Sequence, residues 1–569
     1  MASQLSDNQK EVRYDRQLRL WGDHGQQSLE NAHVVLLGVT GTGTEILKSL
    51  ILPGVGSFTI IDGRTVKPSD LSSNFFLDES CLERERAKTT CEFLQELNPA
   101  VKGHWISETP DQLLNNNLKM LVNYNLVIAT NLSEKTLLSV GEFLWEHNVP
   151  LLICRAYGLM GYIRLVFREH VVWESHPDSP FPDFRLGSPF PELISLVDKY
   201  DFSQLTHQEH SHVPYLIILL KCLQKWQQQK EHQNGLPLNH NGNNNNNCDS
   251  PVSELRVPAS YAEKKQFKQF ILEQRMPDDK GSLDEENFEE AVRAVNTAFS
   301  GPKIPSEVQR ILLSLKGAQS LGDFLKQKQP RNWKFWLLAA ALQRFIGETG
   351  NLPLSGILPD MIAASKRYIE LQNVYKAKAS ADAEHMFNCA KELESSLDAQ
   401  FQLNLSLEDV KYFCKNAAFL CVLEGSPLKE EYSACSEYFS KTLNPTELAE
   451  NNCLWLYVLL RAADRFLMEM NRYPGTNGIP VDLDKNDLLV RVERFLTSHN
   501  LPTKNLTEQQ QAYLEEMCRY GASELHSTAA FVGGIAAHEA IKLLTSQYVP
   551  INNTFVFNGI SGESCSFMF

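Results

Sequence analysis

The feature that most restricts how this chain can fold is the run Gly38-Val39-Thr40-Gly41-Thr42-Gly43. It lies between an apolar stretch, Val34–Leu37, and a segment of helical spacing, Thr44–Leu52, in which Ile46, Leu47, Leu50 and Ile51 share one side. Pro53-Gly54 stops that helix. A β-branched and aromatic run, Phe58–Ile61, follows and ends at Asp62, 19 residues beyond Gly43. Strand, glycine loop, helix, strand and terminal acid form the opening βαβ unit of a nucleotide-binding α/β fold, in which the acid takes ribose hydroxyls. Further alternation predicts a parallel sheet covered on both faces: helices at Ala87–Leu97 and Leu132–Trp145, strands at Leu126–Ala129 and Pro150–Cys154.

The loop nevertheless departs from a phosphate-binding fingerprint. The second position of G-x-G-x-x-G needs glycine so that the backbone can approach the phosphates, and Thr40 stands there. A β-branched side chain adds bulk where a phosphate would sit. The fold signal therefore survives while the ligand signal is weakened. A shifted loop that uses Gly41 and still binds nucleotide is the alternative.

At 569 residues the chain exceeds one compact core. We expect three segments: residues 1–170 and 501–569 as two parts of one α/β domain, and residues 171–500 as an all-α insertion. Helical spacing runs through Ser211–Gln229, Asp284–Phe299, Trp333–Ile346, Ser365–Ala379 and Asn452–Met468. Inside the insertion, 234–250 includes the near-continuous asparagine tract Asn239–Asn247 and is expected to be a disordered loop. His526–Leu544 reads as a helix whose small residues allow close packing on a sheet, and Thr554–Asn558 and Ser564–Phe569 read as strands. With 54 basic and 69 acidic residues, the net charge of −15 argues against nucleic-acid binding. The polar stretch Met1–Lys10 lacks a signal-peptide core, and no apolar run is long enough for a bilayer. The 12 cysteines show no C-x-x-C pair. We expect reduced thiols in a cytoplasmic or nuclear protein without membrane insertion.

Tyr14-Asp15-Arg16-Gln17-Leu18-Arg19-Leu20-Trp21-Gly22, followed by the glycine loop, resembles the start of the ubiquitin-like-protein activating enzymes. Ser57–Asp62, Ser69–Leu77, Pro150–Gly161 and Phe531–Lys542 extend the match. The helical segments around Pro359–Ala363, Leu371–Tyr375, Arg461–Phe466 and Arg472–Gly475 are similar to the regulatory, non-catalytic subunits of that family that serve neddylation. The resemblance implies a Rossmann-like adenylation-type domain of the ThiF/MoeB kind, split by the helical insertion. It also implies a heterodimer with a catalytic subunit that adenylates the modifier with ATP and magnesium and carries it as a thioester, ahead of conjugation to cullins.

The residues that differ from active members point to the inactive half. Where active members have Asn-Arg-Gln, this chain has Ser72-Ser73-Asn74, so Ser73 replaces a phosphate-binding arginine. Arg64 replaces a second acid, Arg86 matches a phosphate-directed lysine, and Asn131 matches a magnesium-binding aspartate. No cysteine sits in a Pro-x-Cys-Thr-like thioester loop; Cys414 and Cys421 lie in apolar helical sequence and read as core thiols. The zinc-type cysteine pairs and C-terminal ubiquitin-fold domain of active subunits are not expected here. Gly38, Thr40, Gly41, Gly43, Asp62 and Ser73 thus form a degenerate nucleotide loop, with no ATP, magnesium or other metal held by this chain. The resemblance assigns Arg16 to the ATP phosphates of the catalytic subunit, reached in trans. From the residues alone, Arg16 pairing with Asp15 or Glu11 on a solvated helix is equally open. The helical insertion is expected to shape modifier discrimination and to contact other proteins. An adaptor with a degenerate nucleotide fold, or a self-sufficient nucleotide enzyme, are the competing readings.

Overall fold

A computed structural model describes residues 7–178, 182–233, 256–299, 304–401, 405–433, 441–503 and 506–569. The expected disordered segment 234–250 lies outside them. The chain divides into two compact units, one formed by Met1–Val172 with Val422–Phe569 and the other by Trp173–Cys421.

The first unit is built on one eight-stranded sheet. Its strands are β1 (His33–Leu37), β2 (Ser57–Ile61), β3 (Lys102–Ile106), β4 (Leu126–Thr130), β5 (Leu151–Tyr157), β6 (Met160–Val166), β7 (Thr554–Asn558) and β8 (Glu563–Phe567). They lie in the order β8-β7-β6-β5-β4-β1-β2-β3. The strands β1 to β5 pair in parallel. From β5 onward, pairing through β6, β7 and β8 is antiparallel. The expectation of a parallel sheet thus holds for four of its seven strand pairings. The Gly158 turn reverses the chain straight into β6, leaving no room for the crossover helix that parallel pairing requires.

Alternate residues of the central strands supply two cores. Val34, Leu36, Phe58, Ile60, Leu126 and Ile128 face one side. There they meet α2 (Gly41–Ile51), α3 (Arg86–Glu96) and the late helix His526–Thr545. Val35, Leu37, Val127, Ala129, Leu151 and Ile153 face the other side. That side is covered by α4 (Glu134–Glu146), α5 (Asn452–Met470), α6 (Val481–Ser498) and α7 (Glu508–Tyr520). The return to the α/β unit therefore falls at Val422 and not at 501. Helical periodicity marks Asn452–Met470 as buried but does not say against what. Leu454, Trp455, Val458 and Leu459 pack on the sheet core, so this helix and its successor belong to the α/β unit.

In the helix His526–Thr545 (α8), Ala529, Gly533, Ala536, Ala537 and Ala540 are buried, as close packing requires. A Cβ on Gly533 would come within 2.9 Å of the Glu45 Cβ on α2. Phe531 remains 49% exposed on the other side.

The N-terminal helix α1 (Asp7–Glu30) is broken at Gly22, whose φ of 65° is left-handed. Buried Tyr14 and Trp21 anchor its first half. Asn98 Nδ2 donates to the Tyr14 hydroxyl (3.1 Å), and Trp21 Nε1 donates to Gln26 (3.0 Å). The Tyr14 ring lies against Gly54, where φ is +94° and an added Cβ would sit 2.7 Å from the hydroxyl oxygen. Gly54→Ala is therefore expected to destabilise the chain by about 1–3 kcal/mol, through left-handed strain and displacement of Tyr14. Denaturant titration would measure this, and an unchanged midpoint would remove Gly54 from the anchoring of α1.

The second unit is helical, with its own core. Leu216, Leu220, Leu223, Phe267, Phe288, Leu371 and Tyr375 are buried there, drawn from the helices Tyr215–Gln233, Tyr261–Leu272, Glu286–Ala294 and Ser365–Ser395. Buried Glu285 Oε1 and His210 Nδ1 are hydrogen-bonded at 2.7 Å, so this core contains a satisfied polar pair. Among the described residues no helix is long and apolar enough to cross a membrane.

Candidate functional site

The glycine loop follows β1 and opens α2, as its sequence predicts, and borders a cleft of about 380 Å³. Thr40, Gly41, Arg64, Lys67, Ser73 and Glu524 are among the residues that line it. The glycines serve close packing. Gly38 has φ +81° with the Thr130 carbonyl 2.7 Å from an added Cβ, and the Ser73 carbonyl oxygen would lie 2.6 Å from one on Gly41. Gly43 faces Leu36 and the Thr130 hydroxyl. Thr40 is the N-cap of α2 in extended conformation, and its hydroxyl accepts the Gly43 N–H at 3.1 Å. The side chain expected only to add bulk thus also takes up one of the donors a phosphate would use.

Asp62 is turned inward, its side chain fully buried. It accepts the N–H of Val39 (2.8 Å) and of Arg64 (2.9 Å), together with Arg64 Nε (3.2 Å) and an Arg86 guanidinium nitrogen (2.6 Å). Arg86, itself buried, spends its other terminal nitrogen on Asp70 at 2.8 Å. The Asp62 carboxylate is thus committed to two arginines. Burial opposes ionisation of Asp62, but Arg86 and Arg64 outweigh it and hold the carboxyl below its ordinary range.

This has a pH consequence. A carboxyl depressed in the folded state stabilises fully above its unfolded value, about 3.9, and that stability is lost as pH falls through the lower folded value. Glu524 has the opposite sign. Burial pushes its carboxyl up, so its contribution favours folding at low pH and fades as pH rises through the raised value. Denaturation midpoints from pH 6 to pH 3 should fall less steeply in Asp62→Asn than in the native chain. Parallel curves would show that the Asp62 cluster carries no net linkage.

Ser73 presents its backbone to Gly41, and no arginine comes from that segment. Its neighbour Asn74 is buried and accepts the Thr44 hydroxyl (3.3 Å) and the Phe76 N–H (3.1 Å). Asn131 sits at the end of β4 with φ 51°, and its Oδ1 accepts the Tyr473 hydroxyl at 3.1 Å. A neutral amide tied to a tyrosine offers a divalent cation little. Cys414 is buried and its thiol pushed up by burial; Cys421 is partly buried.

Two residues of this cleft are not among the site residues expected from the sequence. Tyr473 belongs to the segment before α6, and Glu524 to the link between α7 and α8, 483 residues from Gly41. Glu524 Oε2 accepts the Gly41 N–H and Oε1 the Thr42 hydroxyl, both at 2.7 Å.

Arg16 lies elsewhere, on the exposed side of α1. Asp15, one of its possible partners, instead binds Arg19 at 3.1–3.2 Å. Among the described side chains Arg16 has no hydrogen-bond or ion-pair partner. Val12 and Leu20, one turn to either side at i−4 and i+4, are 79% and 53% exposed.

The ThiF family model matches residues 14–568. The NEDD8-activating enzyme E1 regulatory subunit of Danio rerio is 42% identical over 566 residues, covering 98% of each chain. That of Drosophila melanogaster is 39% identical over 564 residues, covering 99% of this chain and 97% of its own. That of Saccharomyces cerevisiae is 26% identical over 566 residues, covering 98% of this chain and 99% of its own.

Proposed function

Since this chain belongs to the ThiF family, and within it to the NEDD8-activating enzyme E1 regulatory subunits, we propose that it supplies no adenylation chemistry itself and completes the ATP site of a separate catalytic subunit. The observation that carries this reading is the contrast between two places. In the chain's own cleft, Asp62 is committed to Arg64 and Arg86, and Asn131 is tied to Tyr473. On α1, Arg16 is exposed and unpaired among the described side chains, between two exposed apolar residues. An arginine framed by apolar surface suits insertion into a partner, where its fork can meet a triphosphate.

In this reading ATP and magnesium are held by the catalytic subunit, no metal is held here, and the activated species is the ubiquitin-like modifier, passed on as a thioester and finally to cullins. The helical unit 173–421 would contact the modifier or other proteins, and the assembly would act in cytoplasm or nucleus. The test is modifier-dependent ATP–pyrophosphate exchange by this chain, by the catalytic subunit, and by the mixture. Exchange only in the mixture supports the reading. Exchange by this chain alone would overturn it.

A further inference from the structure

The cleft contains one arrangement that the loss of adenylation residues does not explain, and its interpretation rests on the reading that this chain binds no nucleotide. The first turn of α2 still offers converging donors. The Gly41 N–H and the Thr42 hydroxyl each meet a different oxygen of the Glu524 carboxylate at 2.7 Å. This is how a helix N-terminus and an adjacent hydroxyl hold one face of a phosphate. Arg64 and Lys67 line the same cleft, and the Arg64 guanidinium lies 3.8 Å from the point where a Gly38 Cβ would stand. The donors of an oxyanion cradle are therefore present, with Lys67 and the Asp62-paired Arg64 at its border, and the chain's own Glu524 carboxyl already occupies it.

The segment that delivers this anion is held in place. Gly521 and Ala522 both adopt left-handed backbone, with φ of 54° and 61°, which turns the chain sharply between α7 and α8. Alanine rarely takes that conformation, so surrounding contacts must hold it there. One such contact is the Gly158 N–H, which donates to the Ser523 carbonyl at 2.7 Å. Another is the Tyr520 ring, which lies so close over Gly158 that any Cβ there would overlap it. The turn between β5 and β6 thus clamps the residues on either side of Ala522 and aims Glu524 at the glycine loop.

We propose that Glu524 is an internal phosphate surrogate: its carboxylate fills a still-competent oxyanion cradle at Gly41 and Thr42 and so excludes phosphate-bearing ligands. The class of ligand excluded is the di- or triphosphate, for which Gly41, Thr42, Arg64 and Lys67 supply donors and positive charge. Thr40 and the missing arginine at Ser73 then weaken the site, while Glu524 closes it.

The experiment is calorimetric titration of the full chain with inorganic pyrophosphate, and separately with MgATP. The native chain should show no saturable pyrophosphate binding in the millimolar range. Glu524→Ala should acquire it with at least tenfold higher affinity, and adding Arg64→Ala should remove the gain. Gly158→Ala keeps the carboxylate but pushes Tyr520 away, and should produce the same gain with Glu524 intact. Glu524→Ser, which also vacates the cradle, gives the same readout should the alanine variant fold poorly. Folded Glu524 variants that bind pyrophosphate no better than the native chain would overturn the surrogate, yet leave the non-catalytic reading standing. MgATP binding by the native chain would overturn that reading itself.

Discussion

Arg16→Ala in the assembled enzyme is expected to lower modifier-dependent ATP–pyrophosphate exchange on the order of 10³-fold, with subunit association unchanged. Arginines delivered in trans to a polyphosphate have effects of this size, because they offset charge that develops only as the reaction proceeds. The geometry permits the role. Tyr14 and Trp21 pin α1 from its buried side, so the helix presents Arg16 without itself having to become ordered. Asp15 is engaged by Arg19, which leaves the Arg16 guanidinium uncommitted among the described side chains. Arg16→Lys should recover part of the loss, since an ammonium keeps the charge and loses the planar fork. Arg19→Ala should cost little, since an exposed i,i+4 pair contributes only about 0.3–0.5 kcal/mol. Exchange rate, its ATP dependence and complex formation by gel filtration would be measured together. An intact complex with unaltered exchange in Arg16→Ala would assign the phosphate contact to some other residue.

Glu431→Ala should lower the stability of the chain by about 3–5 kcal/mol, more than the glycine substitution at Gly54. Glu431 and Arg164 are fully buried side chains, with Arg164 Nε 2.7 Å from Glu431 Oε2. The Tyr457 hydroxyl donates to the other oxygen at 2.7 Å, and Arg164 also donates to the Ser426 hydroxyl at 2.8 Å. Removing the carboxylate leaves a buried guanidinium without its counter-charge, and the Tyr457 and Tyr162 hydroxyls without their acceptor. Denaturant midpoints of the native chain and Glu431→Ala would measure it. Glu431→Gln should lose less, because the amide oxygen can still accept from Tyr457. A near-zero change for the alanine variant would mean that water reaches Arg164 once the carboxylate is gone.

These two residues also show where reading the chain in one dimension runs out. Arg16 is singled out in the sequence because it sits inside a local run, Tyr14–Gly22, whose pattern is continuous. Arg164 and Glu431 are 267 residues apart and share no pattern at all. The same contrast separates the two halves of the cleft. Thr40, Asp62 and Arg64 stand out against a fingerprint of fixed spacing. Glu524 and Tyr473 do not, because they arrive from the opposite end of the chain.

The βαβ start of the sheet, the departure of the glycine loop from the fingerprint at Thr40 and the family were all legible in the order of the residues. Those depend on strand and helix periods and on short-range spacing, which are properties of neighbouring residues. That helices 452–498 belong to the α/β unit emerged only from the packed fold, since amphipathic spacing says that a face is buried but not what buries it. The antiparallel pairing of β6, β7 and β8 emerged there as well, because β6 is buried throughout and lacks the alternation that marks a half-buried strand. So did the commitment of Asp62 to two arginines and the carboxylate of Glu524 on the glycine loop. Hydrogen bonds and ion pairs act over a few ångströms, and which groups come that close is settled by how the whole chain packs.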